Sequence, residues 1–264
     1  KKYLVIGNPI EHSMSPALHN YWLKKNEIEA IYEKKKIDEK ELKNLVAQVK
    51  EKKINGLNIT VPFKKKIIPY LDELSKEALK TQSVNTIYLN EDKTVGHNTD
   101  IEGFELSIEE SKFDITNKKI LILGAGGVVS SIIFALLKMK ASEIILCNRS
   151  RERAETLKKL FNDLTIIDWG KLVNVDMIIN ATSVGLEKGD RMGLDFSKVG
   201  NDKFFYDVIY NPNETDFLRQ GKKLNNKIQN GKKMFIYQAL AAFKLWHGVQ
   251  PIVDDKVLKI LNND

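Results

Sequence analysis

Apolar and polar positions along the first hundred residues follow two alternating patterns, which together predict strands and helices in alternation. Short apolar runs predict strands, and segments with apolar residues every three or four positions predict helices. The predicted strands cover residues 3–7, 31–37, 56–61, 86–89 and 94–97, with the last two forming a hairpin. The predicted helices begin at Ser15, cover 39–52 and 71–79, and include a short one after Pro62.

The pattern changes near Glu102, where a polar helix over 103–112 leads into an uninterrupted apolar run at 119–123. Such a run is typical of a strand buried on both faces of a parallel sheet. Further strands are predicted at 143–147, 164–167, 176–180 and 204–208, and helices at 128–140, 151–161 and 234–246, with a short helix near the end. This βαβ alternation predicts an α/β fold with a doubly wound, Rossmann-type parallel sheet.

Length and composition are those of an ordinary globular protein. The 264 residues correspond to one large or two modest domains, and no apolar run approaches the roughly 20 residues needed to cross a bilayer. The first residues follow a strand pattern rather than that of a signal peptide, and because the chain lacks an initiator Met we expect one or two residues before Lys1. The one cysteine, Cys147, excludes an internal disulfide and favours a cytoplasmic location without membrane association.

The chain is basic, with a net charge of +7 from 42 Lys and Arg against 35 Asp and Glu. Lysine clusters such as 34–36 and 64–66 could belong to a nucleic-acid surface. The basic residues, however, are spread among acidic ones along the whole chain, and no nucleic-acid-binding motif accompanies them. Small anionic ligands on a solvated surface explain the charge more simply, and we expect no nucleic-acid partner.

A glycine-rich turn, Gly124-Ala125-Gly126-Gly127, lies between a predicted strand and a predicted helix. In that context glycines allow a tight turn and bring backbone N–H groups close to a pyrophosphate at the helix N-terminus. The fingerprint is imperfect, because Val129 stands where Gly or Ala is usual. The turn predicts a dinucleotide site, with an ordinary strand-to-helix turn as the alternative.

The next predicted strand ends in Asn148-Arg149-Ser150, with Arg151 and Arg153 following. An NAD site usually places Asp or Glu at this point to bind the ribose hydroxyls. Guanidinium groups suit a 2′-phosphate instead, because they donate two hydrogen bonds and stay charged. These residues could simply begin a solvated helix, but cations there oppose the helix dipole. We therefore predict NADP(H) as the cofactor.

Polar clusters in the first part of the chain are candidates for substrate binding. Ser13 and Ser15 lie at a predicted helix start, where they can hold a carboxylate, although Ser15 could also be a simple N-cap. Thr60 is a candidate N-cap for the helix after Pro62. Lys64 would then lie in the first helical turn, where the dipole disfavours a cation and so favours proton transfer.

Spacing alone leaves several of these assignments open. Lys64, Lys65 and Lys66 are equivalent by position, and any of them could be a solvated surface residue. Asn85 could bind a substrate hydroxyl and Asp100 could pair with a lysine, although both also fit turns. Metal-ligand spacing is missing at the four histidines, so we predict no metal site: His12, His19, His97 and His247.

Taken together, these residues resemble the shikimate dehydrogenase family, in order from Gly7 to Gly248. The segments that carry the resemblance are Gly7-Asn8-Pro9-Ile10, His12-Ser13-Met14-Ser15-Pro16, His19-Asn20, Gly56-Leu57-Asn58-Ile59-Thr60-Val61-Pro62 with Lys64, Val84-Asn85-Thr86, Asn98-Thr99-Asp100 with Gly103, Gly124-Ala125-Gly126-Gly127, Asn148-Arg149-Ser150, Asn180-Ala181-Thr182, Tyr237-Gln238-Ala239 and Leu245-Trp246-His247-Gly248. No single segment decides the matter, whereas the joint match is highly specific.

The resemblance implies reversible, NADPH-dependent reduction of 3-dehydroshikimate to shikimate, a step in aromatic amino acid biosynthesis. It also implies that Lys64 and Asp100 are the catalytic pair. The implied substrate-binding residues are Ser13, Ser15, Thr60, Lys64, Asn85, Asp100, Tyr210 and Gln238. The implied cofactor-binding residues are Gly124, Ala125, Gly126, Gly127, Val128, Asn148, Arg149, Ser150, Arg153, Ala181, Thr182, Ser183, Val208 and Gly231.

The resemblance further implies two domains and a monomer or homodimer. A smaller α/β substrate domain would comprise residues 1–102 and 235–264, and a Rossmann-type NADP domain would comprise 103–234. Ile101-Glu102 departs from the family pattern, in which a glycine is frequent after Asp100. No role follows for the charged loop 187–191 or for Lys232-Lys233.

Two alternatives on the same fold stay open. A quinate/shikimate dehydrogenase can use NAD, but the absence of an acidic residue near Asn148 argues against it. A non-catalytic, nucleotide-dependent regulator would not need both Lys64 and Asp100.

Overall fold

A computed structural model of the chain describes residues 1–187 and 189–262. The chain divides into two compact units. Unit 1 consists of Lys1–Gly103 and Ile236–Asp264, and unit 2 consists of Phe104–Phe235. Among the described residues, each unit contains one six-stranded sheet with helices. The predicted α/β fold class is confirmed.

Strands and helices alternate along most of the chain. The strands are β1 (Lys2–Gly7), β2 (Ile31–Lys36), β3 (Gly56–Ile59), β4 (Glu73–Leu74), β5 (Thr86–Asn90), β6 (Lys93–His97), β7 (Lys119–Leu123), β8 (Glu143–Cys147), β9 (Leu164–Ile167), β10 (Met177–Asn180), β11 (Phe204–Asp207) and β12 (Lys227–Gln229). The α-helices are α1 (Ser15–Lys25), α2 (Leu42–Lys50), α3 (Lys76–Thr81), α4 (Asp100–Ser111), α5 (Val129–Lys138), α6 (Arg151–Leu160), α7 (Asp216–Lys223), α8 (Lys232–His247) and α9 (Asp255–Ile260).

The sheet of unit 1 is mixed, in the order β2-β1-β3-β5-β6-β4. β1 runs parallel to β2 and β3, whereas β5 runs antiparallel to both β3 and β6. The predicted hairpin of β5 and β6 is confirmed. Because of these directions, the carboxyl ends of β1, β3 and β6 lie at the same edge of the sheet as the amino end of β5.

Helix α2 buries one side against the sheet of unit 1. Leu42, Leu45, Val46 and Val49 recur at helical spacing and are all buried. They belong to one apolar cluster that also holds Leu4, Ile6, Leu57 and Ile59 of the strands. Burial of each such side chain contributes roughly 1.5–3 kcal/mol. This cluster fixes the sheet that carries the candidate substrate-binding residues.

Two of the predicted helices in unit 1 are wrong. After Pro62 the chain forms hydrogen-bonded turns and a 3₁₀ turn at Ile68–Tyr70. Pro69 lies in that turn, and because proline lacks an N–H and restricts the residue before it, an α-helix does not continue there. Residues 71–79 do not form one helix either, since β4 pairs with β6 and only α3 follows. Residues 73–74 pair with β6 although the apolar spacing of 71–79 predicts a helix.

The sheet of unit 2 is parallel throughout, in the order β12-β11-β10-β7-β8-β9. Chain order reverses between β7 and β10, which is the arrangement of a doubly wound, Rossmann-type sheet. In β7, Ile120, Leu121, Ile122 and Leu123 are all fully buried, as the apolar run predicts. In such sheets ligands bind beyond the carboxyl ends of the strands at the reversal point.

The elements α7 and β12 are additions that the sequence pattern did not predict. Thr215 caps α7, because its hydroxyl accepts a hydrogen bond from the Leu218 N–H at 3.3 Å. Gly221 lets α7 approach the sheet closely, since an added Cβ would lie 2.6 Å from Phe205 Cγ. The sequence of α7 has a glycine in its middle and two lysines at its end, so it lacks the regular apolar spacing that predicts a helix.

Two absences are established for the residues that the structure describes. In 1–187 and 189–262, no helix is both long and apolar enough to cross a membrane. Within the same ranges, no group of His, Cys, Asp and Glu side chains is arranged to hold a metal ion. Lys188, part of the charged loop noted in the sequence, lies outside the described residues.

Candidate functional site

Strand direction explains how distant residues of unit 1 meet at one edge of its sheet. The chain leaves that edge after β1, β3 and β6 and enters it at β5. The predicted residues next to these strand ends are Ser13, Ser15, Thr60, Lys64, Asn85 and Asp100. The candidate substrate-binding residues of the first hundred positions therefore share one edge.

Lys64 and Asp100 form an ion pair at this edge. Lys64 Nζ lies 2.5 Å from Asp100 Oδ2, and the two side chains are only 13% and 8% exposed. The backbone of Lys64 is fixed by the Val84 N–H, which donates to its carbonyl oxygen at 2.9 Å. Asp100 begins α4, and its N–H donates to Asn98 Oδ1 at 3.2 Å. A largely buried ammonium–carboxylate pair is chemically suited to proton transfer.

The structure separates Lys64 from its two lysine neighbours. Lys65 and Lys66 are exposed, and Lys66 forms an ion pair with Glu39. The helix expected to begin after Thr60 is absent, so the proposed effect of a helix dipole on Lys64 was wrong. The carboxylate of Asp100 is the charged group that contacts Lys64.

Asn85 holds the second oxygen of the Asp100 carboxylate. Its Nδ2 donates to Asp100 Oδ1 and to Thr99 Oγ1, both at 2.9 Å. Its Oδ1 accepts from the Thr99 N–H at 2.8 Å and from Thr86 Oγ1 at 3.0 Å. The carboxylate is thus fixed on one side by an ammonium and on the other by an amide, which sets the direction in which Lys64 points.

Asn58 and Tyr32 extend this hydrogen-bonded network, and sequence reasoning assigned neither of them a role. The Tyr32 hydroxyl donates to Asn58 Oδ1 at 2.6 Å. Asn58 Nδ2 donates to the Asn85 carbonyl oxygen and to Thr86 Oγ1, both at 3.0 Å. Burial raises the pKa of Tyr32 well above its ordinary value, so it stays a donor. The available signal was a polar Asn58 within an otherwise apolar strand.

Ser15 is not the N-cap that the sequence suggested. Helix α1 begins at Ser15 itself, and Met14 occupies the N-cap position without a side-chain hydrogen bond. Ser15 is buried. Ser13 lies two residues earlier, and its Oγ accepts from the Ser15 N–H at 3.4 Å. Both hydroxyls lie at the start of α1, where backbone N–H groups favour an anion.

The remaining predicted substrate-binding residues are Thr60, Gln238 and Tyr210. Thr60 is half-buried, and its methyl group packs on Gly7, where an added Cβ would lie 2.5 Å from Thr60 Cγ2. Gln238 is half-buried on α8 in unit 1. Tyr210 belongs to unit 2, where its ring packs against Phe235 with centroids 4.6 Å apart.

In unit 2, the glycine turn leads from β7 into α5. Gly124 has a φ of +109°, and an added Cβ would lie 2.7 Å from the Ala181 carbonyl oxygen. Gly127 has open space where a Cβ would be. Helix α5 has Val128 at its N-cap position, and that residue makes no capping side-chain hydrogen bond. Val129, which departs from the fingerprint, is fully buried in the core.

The arginines after β8 differ in whether they form ion pairs with carboxylates. Arg149, Ser150 and Arg153 are exposed, and within residues 1–187 and 189–262 no carboxylate pairs with either arginine. Arg151 differs, because it forms ion pairs with Asp168 at 3.0 Å and Glu155 at 3.4 Å. Two exposed guanidinium groups near the end of β8 can therefore hold an anion.

Other predicted cofactor-binding residues follow β10, β11 and β12. They are Ala181, Thr182, Ser183, Val208 and Gly231. Thr182 is fixed through Asn180, whose Oδ1 accepts from the Thr182 N–H at 3.0 Å and from its hydroxyl at 2.7 Å. Gly231 packs on Val208 so closely that an added Cβ would lie 2.1 Å from the Val208 carbonyl oxygen. Only glycine fits there.

These features fit a dinucleotide that carries an additional phosphate. The Gly124 turn leaves room for a close approach of backbone N–H groups, and the start of α5 supplies a partial positive charge. The two free arginines supply full positive charges at the end of the neighbouring strand. Both sets lie at the carboxyl edge of the parallel sheet, where this fold binds its ligands.

Comparison with known sequences identifies the family. Residues 5–87 match the shikimate dehydrogenase substrate binding domain, and residues 107–188 match the shikimate / quinate 5-dehydrogenase family. The shikimate dehydrogenase (NADP(+)) of Pelagibacter ubique is 56% identical over 262 residues, which cover 99% of each chain. That of Methanocaldococcus jannaschii is 37% identical over 262 residues, 95% of this chain and 92% of the relative.

Solved structures agree with the sequence comparison. The crystal structure of shikimate dehydrogenase from Aquifex aeolicus has a TM-score of 0.89 and 34% identity, covering 100% of this chain and 98% of the other. The Thermus thermophilus shikimate 5-dehydrogenase in complex with NADP(H) and shikimate has a TM-score of 0.89 and 31% identity, covering 99% and 98%. The chain belongs to the shikimate dehydrogenase family.

Proposed function

We propose that the chain catalyses the reversible, NADPH-dependent reduction of 3-dehydroshikimate to shikimate in aromatic amino acid biosynthesis. The observation that carries the proposal is the largely buried Lys64–Asp100 pair, with 2.5 Å between Nζ and Oδ2. The names of relatives at 56% and 37% identity over nearly the whole chain support it.

The two parts of the chain have different roles in this proposal. Residues 1–102 and 235–264 form the substrate domain, and residues 103–234 form the NADP domain. The matches of residues 5–87 to a substrate binding domain and the parallel sheet of unit 2 support this division.

The substrate carboxylate binds at the start of α1, through the hydroxyls of Ser13 and Ser15. Thr60, Asn85, Asp100 and Gln238 bind the ring hydroxyls, and Tyr210 contributes a further hydroxyl to the carboxylate. The position of both serines at the N-terminus of α1 and the hydrogen-bonded network of Asn85 and Asp100 support these roles.

The cofactor binds along the carboxyl edge of the sheet of unit 2. The residues that hold it are Gly124, Ala125, Gly126, Gly127 and Val128 at the pyrophosphate, Asn148, Arg149, Ser150 and Arg153 at the 2′-phosphate end, and Ala181, Thr182, Ser183, Val208 and Gly231 beyond. When bound, NADPH supplies the hydride.

Lys64 and Asp100 manage the proton that accompanies hydride transfer. As hydride reaches the ketone carbon, negative charge develops on the carbonyl oxygen, and the Lys64 ammonium donates a proton to it. Asp100 keeps Nζ directed at that oxygen and accepts a hydrogen bond from the adjacent ring hydroxyl. In the reverse direction Lys64 accepts the proton. Groups positioned in this way typically accelerate a reaction about 100- to 10,000-fold.

Replacement of Lys64 tests this assignment. We expect Lys64→Ala to lower kcat by at least about 100-fold while leaving the Kd for NADPH within about twofold, because the lysine acts on the substrate and not on the cofactor. Lys65→Ala removes an exposed neighbour and should keep normal turnover. Near-normal turnover of Lys64→Ala, with NADPH binding intact, would show that another group transfers the proton.

We further propose a cytoplasmic protein that acts as a monomer or homodimer, without a nucleic-acid partner. The buried, unpaired Cys147 is consistent with a reducing compartment. Sedimentation or light scattering of the purified chain would measure its oligomeric state.

A further inference from the structure

Asp207 is a fully buried carboxyl group at the end of β11, with no role in the chemistry described above. Its Oδ1 accepts hydrogen bonds from the Ile209 N–H at 3.0 Å and from Asn180 Nδ2 at 3.1 Å. Its Oδ2 accepts from the Thr215 hydroxyl at 2.6 Å. All three donors are neutral, and burial raises the pKa of Asp207 to about 6. Burying a carboxyl group costs free energy of folding unless hydrogen-bond donors surround it. The folded chain therefore keeps Ile209, Asn180 and Thr215 in place around Asp207.

Through Asn180, the same carboxyl group also reaches the segment after β10. Asn180 Oδ1 accepts from the N–H and the hydroxyl of Thr182, and its Nδ2 donates to the Val184 carbonyl oxygen at 3.1 Å. The Val208 N–H donates to the Asn180 carbonyl oxygen at 3.0 Å. One side chain thus ties together the segments after β10 (181–184) and after β11 (208–215).

The fold determines which half of a dinucleotide these two segments would face. The glycine turn and Arg149 follow β7 and β8, which places the pyrophosphate and the adenosine on that side of the sheet. β10 and β11 lie on the other side of the reversal point, so their carboxyl ends face the nicotinamide half. The backbone there is also tightly packed, since the Gly231 N–H donates to the Ile209 carbonyl oxygen at 2.9 Å.

We propose that Asp207 is a positioning residue that, through Asn180 and Thr215, holds the segments 181–184 and 208–215 in place for the nicotinamide half of the cofactor. This inference rests on the proposed binding of NADP(H) by unit 2. Segments ordered before the cofactor arrives lose less conformational entropy on binding, which favours affinity for that half alone.

Binding of two different ligands distinguishes the nicotinamide half of the site from the adenosine half. NADPH contacts both halves of the site, whereas 2′,5′-ADP carries only the adenosine and its phosphates. We expect Asp207→Ala and Thr215→Val each to weaken NADPH binding about tenfold, because each removes buried hydrogen bonds, and to change the Kd of 2′,5′-ADP by less than about twofold. Titrations by calorimetry would give both constants.

Conservative replacements show whether the hydrogen bonds are responsible. Asp207→Asn keeps an acceptor for the Ile209 N–H and Asn180 and can donate to Thr215 Oγ1, so it should recover most of the NADPH affinity lost in Asp207→Ala. Thr215→Ser keeps the hydroxyl and should do the same relative to Thr215→Val. Thr165→Val makes the Thr-to-Val change at an exposed position of β9 and should bind both ligands as the wild type does.

The outcomes distinguish this inference from the proposed function. If the wild type binds neither ligand, the cofactor proposal itself fails. If the wild type binds both, and Asp207→Ala and Thr215→Val weaken neither ligand or weaken the two equally, the positioning role is overturned. Should Asp207→Ala fail to fold, the comparison of Thr215→Val with Thr215→Ser decides the matter alone.

Discussion

At the residue scale, the choice between NADP and NAD is assigned to the exposed arginines after β8. We expect Arg149→Ala to raise the KM for NADP⁺ about tenfold or more, because a hydrogen bond to a charged group contributes about 1.5–3 kcal/mol. The KM for NAD⁺, which lacks the 2′-phosphate, should change less than threefold. Steady-state kinetics with both cofactors would measure this.

Arg151→Ala is the matched control for that experiment. Arg151 is already paired with Asp168 and Glu155, so its loss should leave the KM for NADP⁺ within about threefold. An equal effect of the two substitutions would contradict the assignment of the phosphate to Arg149.

A second residue, His19, is expected to make the stability of unit 1 depend on pH. His19 is fully buried and stacked on Tyr32, with ring centroids 4.2 Å apart. Burial, and then the nearby His247, lower the pKa of His19 to about 3. The unfolded chain binds this proton below about pH 6.5 whereas the folded chain does not, so stability falls as the pH drops from 6.5 toward 3.

Denaturation at two pH values measures this contribution. Between pH 7 and pH 5, the wild type should lose roughly 2 kcal/mol more of its free energy of unfolding than His19→Phe, which keeps a ring on Tyr32 but cannot be protonated. The opposite pH dependence expected from Asp207, whose pKa is raised to about 6, is present in both proteins and cancels. Equal losses in the two proteins would show that His19 takes up its proton without unfolding.

Residues with strong chemical character could be predicted from the sequence, whereas supporting residues could not. Asp100 and Asn85 were candidates as polar residues near strand ends, and the family resemblance selected Lys64 from its lysine neighbours. The structure brings Lys64 and Asn85 into contact with Asp100. The part played by Asn58 and Tyr32 depends on the pairing of β1 with β2 and β3, which no local pattern contains. Such hydrogen bonds between distant strands become visible only in three dimensions.

At the scale of elements, the turn between β7 and α5 depends on one glycine. We expect Gly124→Ala to lower the free energy of unfolding by about 1–3 kcal/mol or more, because its φ is +109° and the added Cβ would lie 2.7 Å from the Ala181 carbonyl oxygen. Gly127→Ala should change stability by less than about 1 kcal/mol, since no atom lies within 4 Å of its added Cβ. Urea denaturation of the two variants tests the difference, and equal losses would contradict this view of the turn.

Elements with a strong local sequence pattern could be predicted. Elements in which a proline or a pairing strand opposes the local pattern could not. The apolar run of β7 and the alternation after it predicted the parallel sheet of unit 2, which is confirmed. The segment after Pro62 has helical spacing, but Pro69 stops an α-helix there. The segment before α3 pairs with β6 instead of extending the helix. In each case a neighbouring residue or strand outweighed the local pattern.

At the scale of the whole molecule, strand order determines where chemistry can occur. In unit 1, the directions of β1, β3, β5 and β6 collect the candidate substrate-binding residues at one edge. In unit 2, the reversal between β7 and β10 creates the edge that holds the glycine turn and the arginines. The alternation of elements predicted the class of each sheet, but the order of the mixed sheet in unit 1 depends on long-range pairing.

The most direct test of the proposed activity uses the wild-type chain with shikimate or quinate, each with NADP⁺ or NAD⁺. The formation of reduced nicotinamide, followed by its absorbance, gives kcat/KM for the four combinations. We predict the highest value for shikimate with NADP⁺. Its lead over shikimate with NAD⁺ should be at least about tenfold, since the loss of one charge-assisted contact already corresponds to a factor of this size. No activity in any combination, or faster turnover of quinate or with NAD⁺, would contradict the proposed function.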